Sequence, residues 1–379
     1  MAQATREHLL FMLWKPEEKE LISQIKSRFP HIDITYHQTA DNKTRAESKG
    51  SVKDPILEEL YRQATILVTL HDIPASTDEA PNLRWIHFFT AGIDRFLSHP
   101  CVTDPKITIT TSNGIHGPPV AEWVLLNSLA FSRFHDLTRN WQKEHTWGQL
   151  DQHWSGCDWY GTRVGIAGYG SIGRQIAHVF DALGADIIAY TATPRPTVAE
   201  RADRGYILPG SGDPEGKIPK AWYSGTSREE LHDFLKSGLD MLVISLPLTP
   251  ATRHMFGKAE FEALAEKGPR PVSTSIGDKL RGPKETGCFL LNIARGPIID
   301  QDALIDALNS GSLRGAALDV TDPEPLPKEH PLWEAKNIII TSHLSTLGVE
   351  YFHRALDVFL TNLERQGYGQ EMFNIMKKD

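Results

Sequence analysis

Between Val164 and Pro196 the chain reads VGIAGYGSIGRQIAHVFDALGADIIAYTATPRP. An apolar strand runs into a glycine hexad, the hexad into a helical pattern, and the helix into a second apolar strand. In that setting each glycine has its own task. Gly168 permits the tight turn, Gly170 lets the backbone approach a pyrophosphate, and Gly173 lets helix and strand pack closely. The start of the helix offers N–H donors and a partial positive charge, which adds Ser171 and Ile172 to the candidate cofactor contacts. A strand–turn–helix–strand unit of this kind commits the chain to a parallel α/β sheet.

The second strand ends without the acid that a dinucleotide fold would use to hold an adenosine ribose. Tyr190-Thr191-Ala192-Thr193-Pro194-Arg195-Pro196 stands there instead. A carboxylate would accept from the ribose 2'-OH and repel a 2'-phosphate, whereas Thr191, Thr193 and Arg195 can donate to that phosphate. The substitution points to NADPH and leaves NADH open.

The chain has 379 residues, 40% hydrophobic and 23% charged, enough for two globular domains. A net charge of -8 without a Lys/Arg run argues against nucleic acid as a partner. Cys101, Cys157 and Cys288 lie far apart, with neither disulfide-framework nor zinc spacing, so no metal is expected. No run reaches transmembrane length and the first apolar segment lacks signal-peptide form. The expected location is cytoplasmic, with no membrane partner.

The first hundred residues alternate strand-like HLLFML, IDITYH, ILVTLHD and LRWIHFF with helical patterns. VAEWVLLNSLAFSRF is too long for a strand and reads as a buried helix after the turn-rich NGIHGPP. A second α/β run supplies RVGIAG, ADIIAY, DMLVISL, CFLLNIA, GAALDV and NIIIT, and a last amphipathic helix over 349–364 is placed to return to the first domain. The stretches 205–225 and 268–287, rich in Gly, Pro and Ser, read as surface insertions.

Three later segments place polar groups at the carboxyl ends of apolar strands, where open α/β sheets bind ligands. They carry Arg295, Asp319 with Glu324, and His343. A 2-keto acid needs a cation to fork its carboxylate and polarise its carbonyl, a proton donor for its oxygen, and an acid to keep that donor protonated. Arg295, His343 and Glu324 are of the right types. Asp300 instead reads as the N-cap of a helix that ends before Gly311.

Several ordered motifs then resemble the D-isomer-specific 2-hydroxyacid dehydrogenases over 83–367: LRWIHFFTAGIDRF, VAEWVLL, GTRVGIAGYGSIGRQIA, LPLTPATRHMF, LLNIARGPIIDQDALIDAL, GAALDVTDPEPLPKEHPLW and NIIITSHLS. The resemblance implies that Arg295 binds the substrate carboxylate and carbonyl, that His343 is the acid/base and that Glu324 pairs with it. It further implies that backbone N–H groups of Thr90, Ala91 and Gly92 hold the carboxylate, while Asp319 and the Ile293 carbonyl fix the nicotinamide amide. Leu246, Pro247 and Thr252 resemble the adenine and phosphate wall, and Val120 falls near the nicotinamide. AYTATPRP and LDVTDPEPLPKEHPLW are similar to the NADPH-dependent glyoxylate/hydroxypyruvate reductase branch. Glu324 argues against the formate dehydrogenase branch, where Gln partners the His. Ser342 precedes His343 where the family usually has Pro, and Leu344 follows it, so the pocket wall is expected to differ there.

The expectation is two Rossmann-like α/β domains with parallel sheets and the active site in the interdomain cleft. The substrate domain takes 1–118 and 343–379, and the dinucleotide-binding domain takes 119–342. The reaction expected is hydride transfer from NADPH to a 2-keto acid, giving a D-2-hydroxy acid, in a homodimer. Trp141, Trp147, Trp154 and Trp159 are read as interface anchors. The rival reading is a cofactor-sensing, corepressor-like binding protein on the same fold; the presence of Arg295, Glu324 and His343 together weighs against it.

Overall fold

The computed structural model describes residues 7–39, 55–148, 156–267 and 287–378. They divide into two compact units, Met1–Asn113 with Glu350–Asp379, and Gly114–Val349.

The first unit is built on five parallel strands: β1 (Glu7–Leu13), β2 (Ile32–Gln38), β3 (Ile66–Thr69), β4 (Trp85–Phe88) and β5 (Thr108–Thr111), in the order β2-β1-β3-β4-β5. β1 is buried from Leu9 to Leu13, as a central strand covered on both faces should be. The helix Tyr351–Gly367 packs on this sheet, with Phe359 5.9 Å from the Phe11 ring and 5.2 Å from that of Trp85. The chain that follows it pairs with the β5 edge, where Met376 N–H donates to the Ile109 carbonyl (2.9 Å). β5 was not among the strands read from sequence. Its TITT lacks a large apolar run, and its threonines serve a buried polar cluster: Thr110 Oγ1 lies 2.8 Å from both His87 Nδ1 and Trp85 Nε1.

The second unit holds seven parallel strands: β6 (Arg163–Ala167), β7 (Asp186–Thr191), β8 (Ala221–Ser224), β9 (Met241–Ile244), β10 (Cys288–Asn292), β11 (Leu313–Leu318) and β12 (Ile338–Ile340). Their order is β12-β11-β10-β9-β6-β7-β8. The order reverses at β6, so the crevice at the carboxyl ends of β6 and β9 is the topological switch point. The unit opens with the helix Gly117–Ser132, whose first turn carries proline with its φ already set for a helix. Val120, Ala121 and Val124 bury that helix against Ile176, Ala177 and Phe180. Asp300 caps the helix Gln301–Ser310 by accepting from Ala303 N–H (3.1 Å), and Gly311 ends it in the left-handed region, φ +79°.

Three sequence readings need amendment. The crossings between units lie at 113/114 and 349/350 rather than after Pro118 and Ser342; residues 343–349 stay with the second unit, where the Asp319 carboxylate grips Leu344 and Ser345. The stretch 205–225 is no mere surface insertion, because it carries β8 and the buried Tyr206 and Asp213. Trp159 is a core residue rather than an interface anchor, 6.2 Å from the Phe180 ring and 6.3 Å from that of Phe289. The other stretch, 268–287, lies outside the described residues except for Gly287, and Trp154 lies outside them entirely.

Candidate active site

The candidate residues of the second unit gather at the carboxyl edge of its sheet. Gly168 follows β6, Thr191 ends β7, Leu246 follows β9, Ile293 and Arg295 follow β10, Asp319 follows β11 and His343 follows β12. Parallel strands make this unavoidable, since every strand ends on the same edge.

The glycine turn has the geometry its spacing requires. Gly168 sits at φ +100°, its N–H donates to the Tyr190 carbonyl (2.9 Å), and a Cβ there would meet the Ser245 carbonyl oxygen at 2.5 Å. A Cβ on Gly173 would meet the Gly168 carbonyl oxygen at 2.3 Å. Gly170 differs, since a Cβ on it would meet no protein atom within 4 Å. It is also the N-cap of the helix Ser171–Ala182, so no cap side chain covers the first N–H groups of that helix. An open Gly170 before an uncapped, dipole-positive helix start fits a dinucleotide pyrophosphate.

His343 Nδ1 and Glu324 Oε1 lie at hydrogen-bond distance, 2.7 Å. His343 is held at φ +55°, a left-handed conformation uncommon outside glycine, and its surroundings determine it. Its N–H donates to the Asp319 carbonyl (2.9 Å). The buried Asp319 carboxylate accepts from Thr341 Oγ1 (2.6 Å), Leu344 N–H (2.8 Å) and Ser345 N–H (3.0 Å). Three of its roughly four acceptor positions therefore hold the turn that carries His343. Thr341 in turn accepts from Trp123 Nε1 (3.1 Å). Glu324 is placed from the other side by Gln301, whose amide donates to the Asp322 carbonyl and accepts from Asp322 N–H (2.9 Å).

Arg295 lies in the turn after β10, and the buried Asn292 fixes that turn. Asn292 Nδ2 donates to the Arg295 carbonyl (3.0 Å) and Oδ1 accepts from Ala294 N–H (3.1 Å). The Arg295 guanidinium donates to the Ala294 carbonyl through one nitrogen (2.8 Å). Ile293 N–H donates to the Ile244 carbonyl (3.2 Å). A cavity of about 210 Å³ adjoins His343 and Glu324, lined among others by Thr321, Leu326, Trp333 and Ile340. A larger one, about 530 Å³, lies at the opposite ends of β11 and β12 around Phe131 and Arg314, away from every group above.

At the end of β7, the Thr191 hydroxyl donates to the Thr193 carbonyl (2.9 Å), while Thr193 is exposed and Arg195 half-buried. In LPLTPAT, Leu246 is buried, Pro247 is exposed, and Thr252 Oγ1 donates to the Pro247 carbonyl (2.7 Å), closing that turn on itself. The Val120 side chain is packed in the core. Thr90, Ala91 and Gly92 follow β4 in the first unit. Sequence reasoning missed Asn292, Gln301, Thr341 and Trp123, of which Gln301 and Trp123 touch their partners from a distance in sequence. Asn292 and Thr341 stood inside the quoted motifs, next to the residues they position.

A paired imidazole and carboxylate, an arginine and a dinucleotide turn on one sheet edge define a nicotinamide-dependent dehydrogenase. The family model of the D-isomer specific 2-hydroxyacid dehydrogenase NAD binding domain matches residues 125–208 and 213–345, and the chain belongs to that family. It is similar to the glyoxylate reductase of Thermofilum pendens, 27% identical over 338 residues, 87% of this chain and 84% of that one. It is also similar to the glyoxylate/hydroxypyruvate reductase B of Pectobacterium carotovorum, 28% identical over 268 residues, 70% of each. Among solved structures, the D-isomer specific 2-hydroxyacid dehydrogenase of Xanthobacter autotrophicus Py2, in complex with NADPH and MES, shares the fold, with TM-score 0.69 and 23% identity over 98% of each chain. The protein is thus a two-unit, parallel-sheet oxidoreductase of the class that reduces 2-keto acids with a nicotinamide cofactor. Among the described residues no helix is long and apolar enough to cross a membrane.

Proposed function

We propose that the protein reduces a 2-keto acid to the D-2-hydroxy acid with NADPH. One observation carries the reading: the 2.7 Å pair of His343 and Glu324 stands on the same sheet edge as Arg295 and the open glycine turn. The Arg295 guanidinium forks the substrate carboxylate and draws electron density towards the keto oxygen. With Nδ1 engaged by Glu324, His343 presents Nε2 to that oxygen and delivers the proton, and the Glu324 carboxylate stabilises the imidazolium beforehand. The bound nicotinamide supplies the hydride that reduces the keto carbon.

Backbone N–H groups of Thr90, Ala91 and Gly92 are assigned to the substrate carboxylate. The Ile293 carbonyl and the remaining acceptor position of Asp319 are assigned to the nicotinamide amide, with Val120 near its ring, and Leu246, Pro247 and Thr252 to the adenine side. Ser171, Ile172 and Gly173 offer N–H groups to the pyrophosphate beside Gly168 and Gly170. Thr193 and Arg195 are assigned to the 2'-phosphate, which favours NADPH over NADH; Thr191, read from the sequence as a third donor to it, gives its hydroxyl proton to the Thr193 carbonyl (2.9 Å) and is assigned to closing the turn instead. The exposed Leu126, Leu129 and Trp147 favour a second copy of the chain as partner.

The test is cofactor oxidation by the purified protein with glyoxylate, hydroxypyruvate and an aryl pyruvate, each with NADPH and with NADH. Turnover to a D product, faster with NADPH, is expected. No turnover on any keto acid would overturn the reading.

A further inference from the structure

The Arg195 turn does not stand alone, and what braces it is not part of the glycine fingerprint. The Arg201 guanidinium donates back to the Arg195 carbonyl from Nε (3.0 Å) and to the Pro196 carbonyl (3.3 Å). The Arg201 carbonyl in turn accepts from Arg174 (2.6 Å), a residue of the phosphate-turn helix that is only 2% exposed. A second Arg174 nitrogen donates to the Asp213 carbonyl (2.5 Å), and its Nε faces Asp203 at 3.3 Å. The circuit closes on the glycine hexad itself, because Tyr169, between Gly168 and Gly170, donates its hydroxyl to Asp213 Oδ2 (2.8 Å). Asp213 is buried and also accepts from Lys217 and Ile218 N–H (2.9 and 3.1 Å). Trp222 of β8 packs under the assembly, 5.0 Å from the Tyr169 ring and 5.7 Å from the Arg201 guanidinium.

Anchoring 205–225 to the sheet would not by itself require this arrangement. Asp213 and Trp222 already do that through Tyr169, whereas the two Arg201 bonds run to the backbone of the cofactor turn. Arg201 is held at its own carbonyl and holds Arg195 at another, so the position of one guanidinium is set from the floor of the pyrophosphate turn.

We propose that Arg201, seated by Arg174 and Asp213, is a positioning residue that sets the Arg195 turn for a 2'-phosphate and so determines preference between the two nicotinamide cofactors. The proposal rests on the assignment of Arg195 to that phosphate. Adenosine 2',5'-bisphosphate and 5'-AMP test it by calorimetry without any catalytic step.

Arg195→Ala is expected to abolish the preference of the wild type for the bisphosphate. Arg201→Ala is expected to weaken bisphosphate binding by roughly tenfold, the scale of a lost hydrogen bond to a charged group, while 5'-AMP binding holds within about twofold. Arg201→Lys should restore part of the loss, and the double variant Arg195→Ala/Arg201→Ala should bind the bisphosphate no more weakly than Arg195→Ala alone. If Arg201→Ala does not fold, Arg201→Gln carries the same comparison. Equal losses for both ligands, no loss for either, or additive losses in the double variant would overturn the positioning role while leaving Arg195 in place. A wild type without preference, or Arg195→Ala that keeps it, would overturn the phosphate assignment itself and the inference with it.

Discussion

Asp319 holds His343 directly and through the residues that follow it: His343 N–H donates to the Asp319 carbonyl at 2.9 Å, and the Asp319 carboxylate accepts from the N–H groups of Leu344 and Ser345. His343 is thereby fixed in a left-handed conformation, φ +55°, just beyond the three-residue strand β12. Its side chain meets Glu324 at 2.7 Å from a separate loop that Gln301 holds.

Glu324→Gln keeps the size of the side chain and removes its charge. Keto acid reduction is expected to slow by about tenfold to a hundredfold, since the imidazolium loses its counter-charge. Cofactor binding should be unchanged. Steady-state kinetics beside cofactor titration checks this, and an unchanged rate would remove Glu324 from the mechanism.

The glycines separate stability from binding. Gly170→Ala should leave the melting temperature near that of the wild type, because its Cβ meets no protein atom within 4 Å, yet it should weaken cofactor binding strongly. Gly173→Ala should lower the melting temperature, because its Cβ would come within 2.3 Å of the Gly168 carbonyl oxygen. Thermal melts with and without NADPH read both effects.

Burial pushes the His87 pKa down from 6.5 to about 3, so this imidazole is neutral in the folded first unit. The unfolded chain takes up the proton as pH falls below about 6.5 and the folded one does not, so stability falls progressively from there towards pH 3. His87→Gln removes that contribution. Chemical denaturation across this range should show a shallower loss for the variant; equal slopes would contradict the buried neutral state.

The three thiols should differ in reactivity. Burial pushes the Cys101 thiol up to about 11 and raises that of Cys288 further, while Cys157 is half-buried. An alkylating reagent is expected to modify Cys157 first in the native protein, and Cys101 and Cys288 only after unfolding. Peptide mass mapping decides, and native labelling at Cys288 would contradict the core packing.

Much of this was legible in the sequence because the fold places chemistry at strand ends. The glycine hexad, Arg295, Glu324 and His343 each followed an apolar run that became a strand, and a parallel sheet brings such ends to one edge. The polar or short strands escaped notice. TITT and AWYS are stabilised by neighbours rather than by apolar patterning, Thr110 by His87 and Trp222 by Tyr169. The bracing was also hidden. Gln301 to Asp322 and Arg174 to Asp213 are contacts between residues far apart in sequence, and no local spacing announces them.

The most direct test of the account is His343→Ala, with NADPH affinity measured by titration beside kcat/KM for the best keto acid. The expected result is retained affinity with kcat/KM lowered by about a hundredfold to ten-thousandfold or more, the scale of general acid catalysis. Activity within a few-fold of the wild type would contradict the assignment of the proton to His343 and the mechanism built on it.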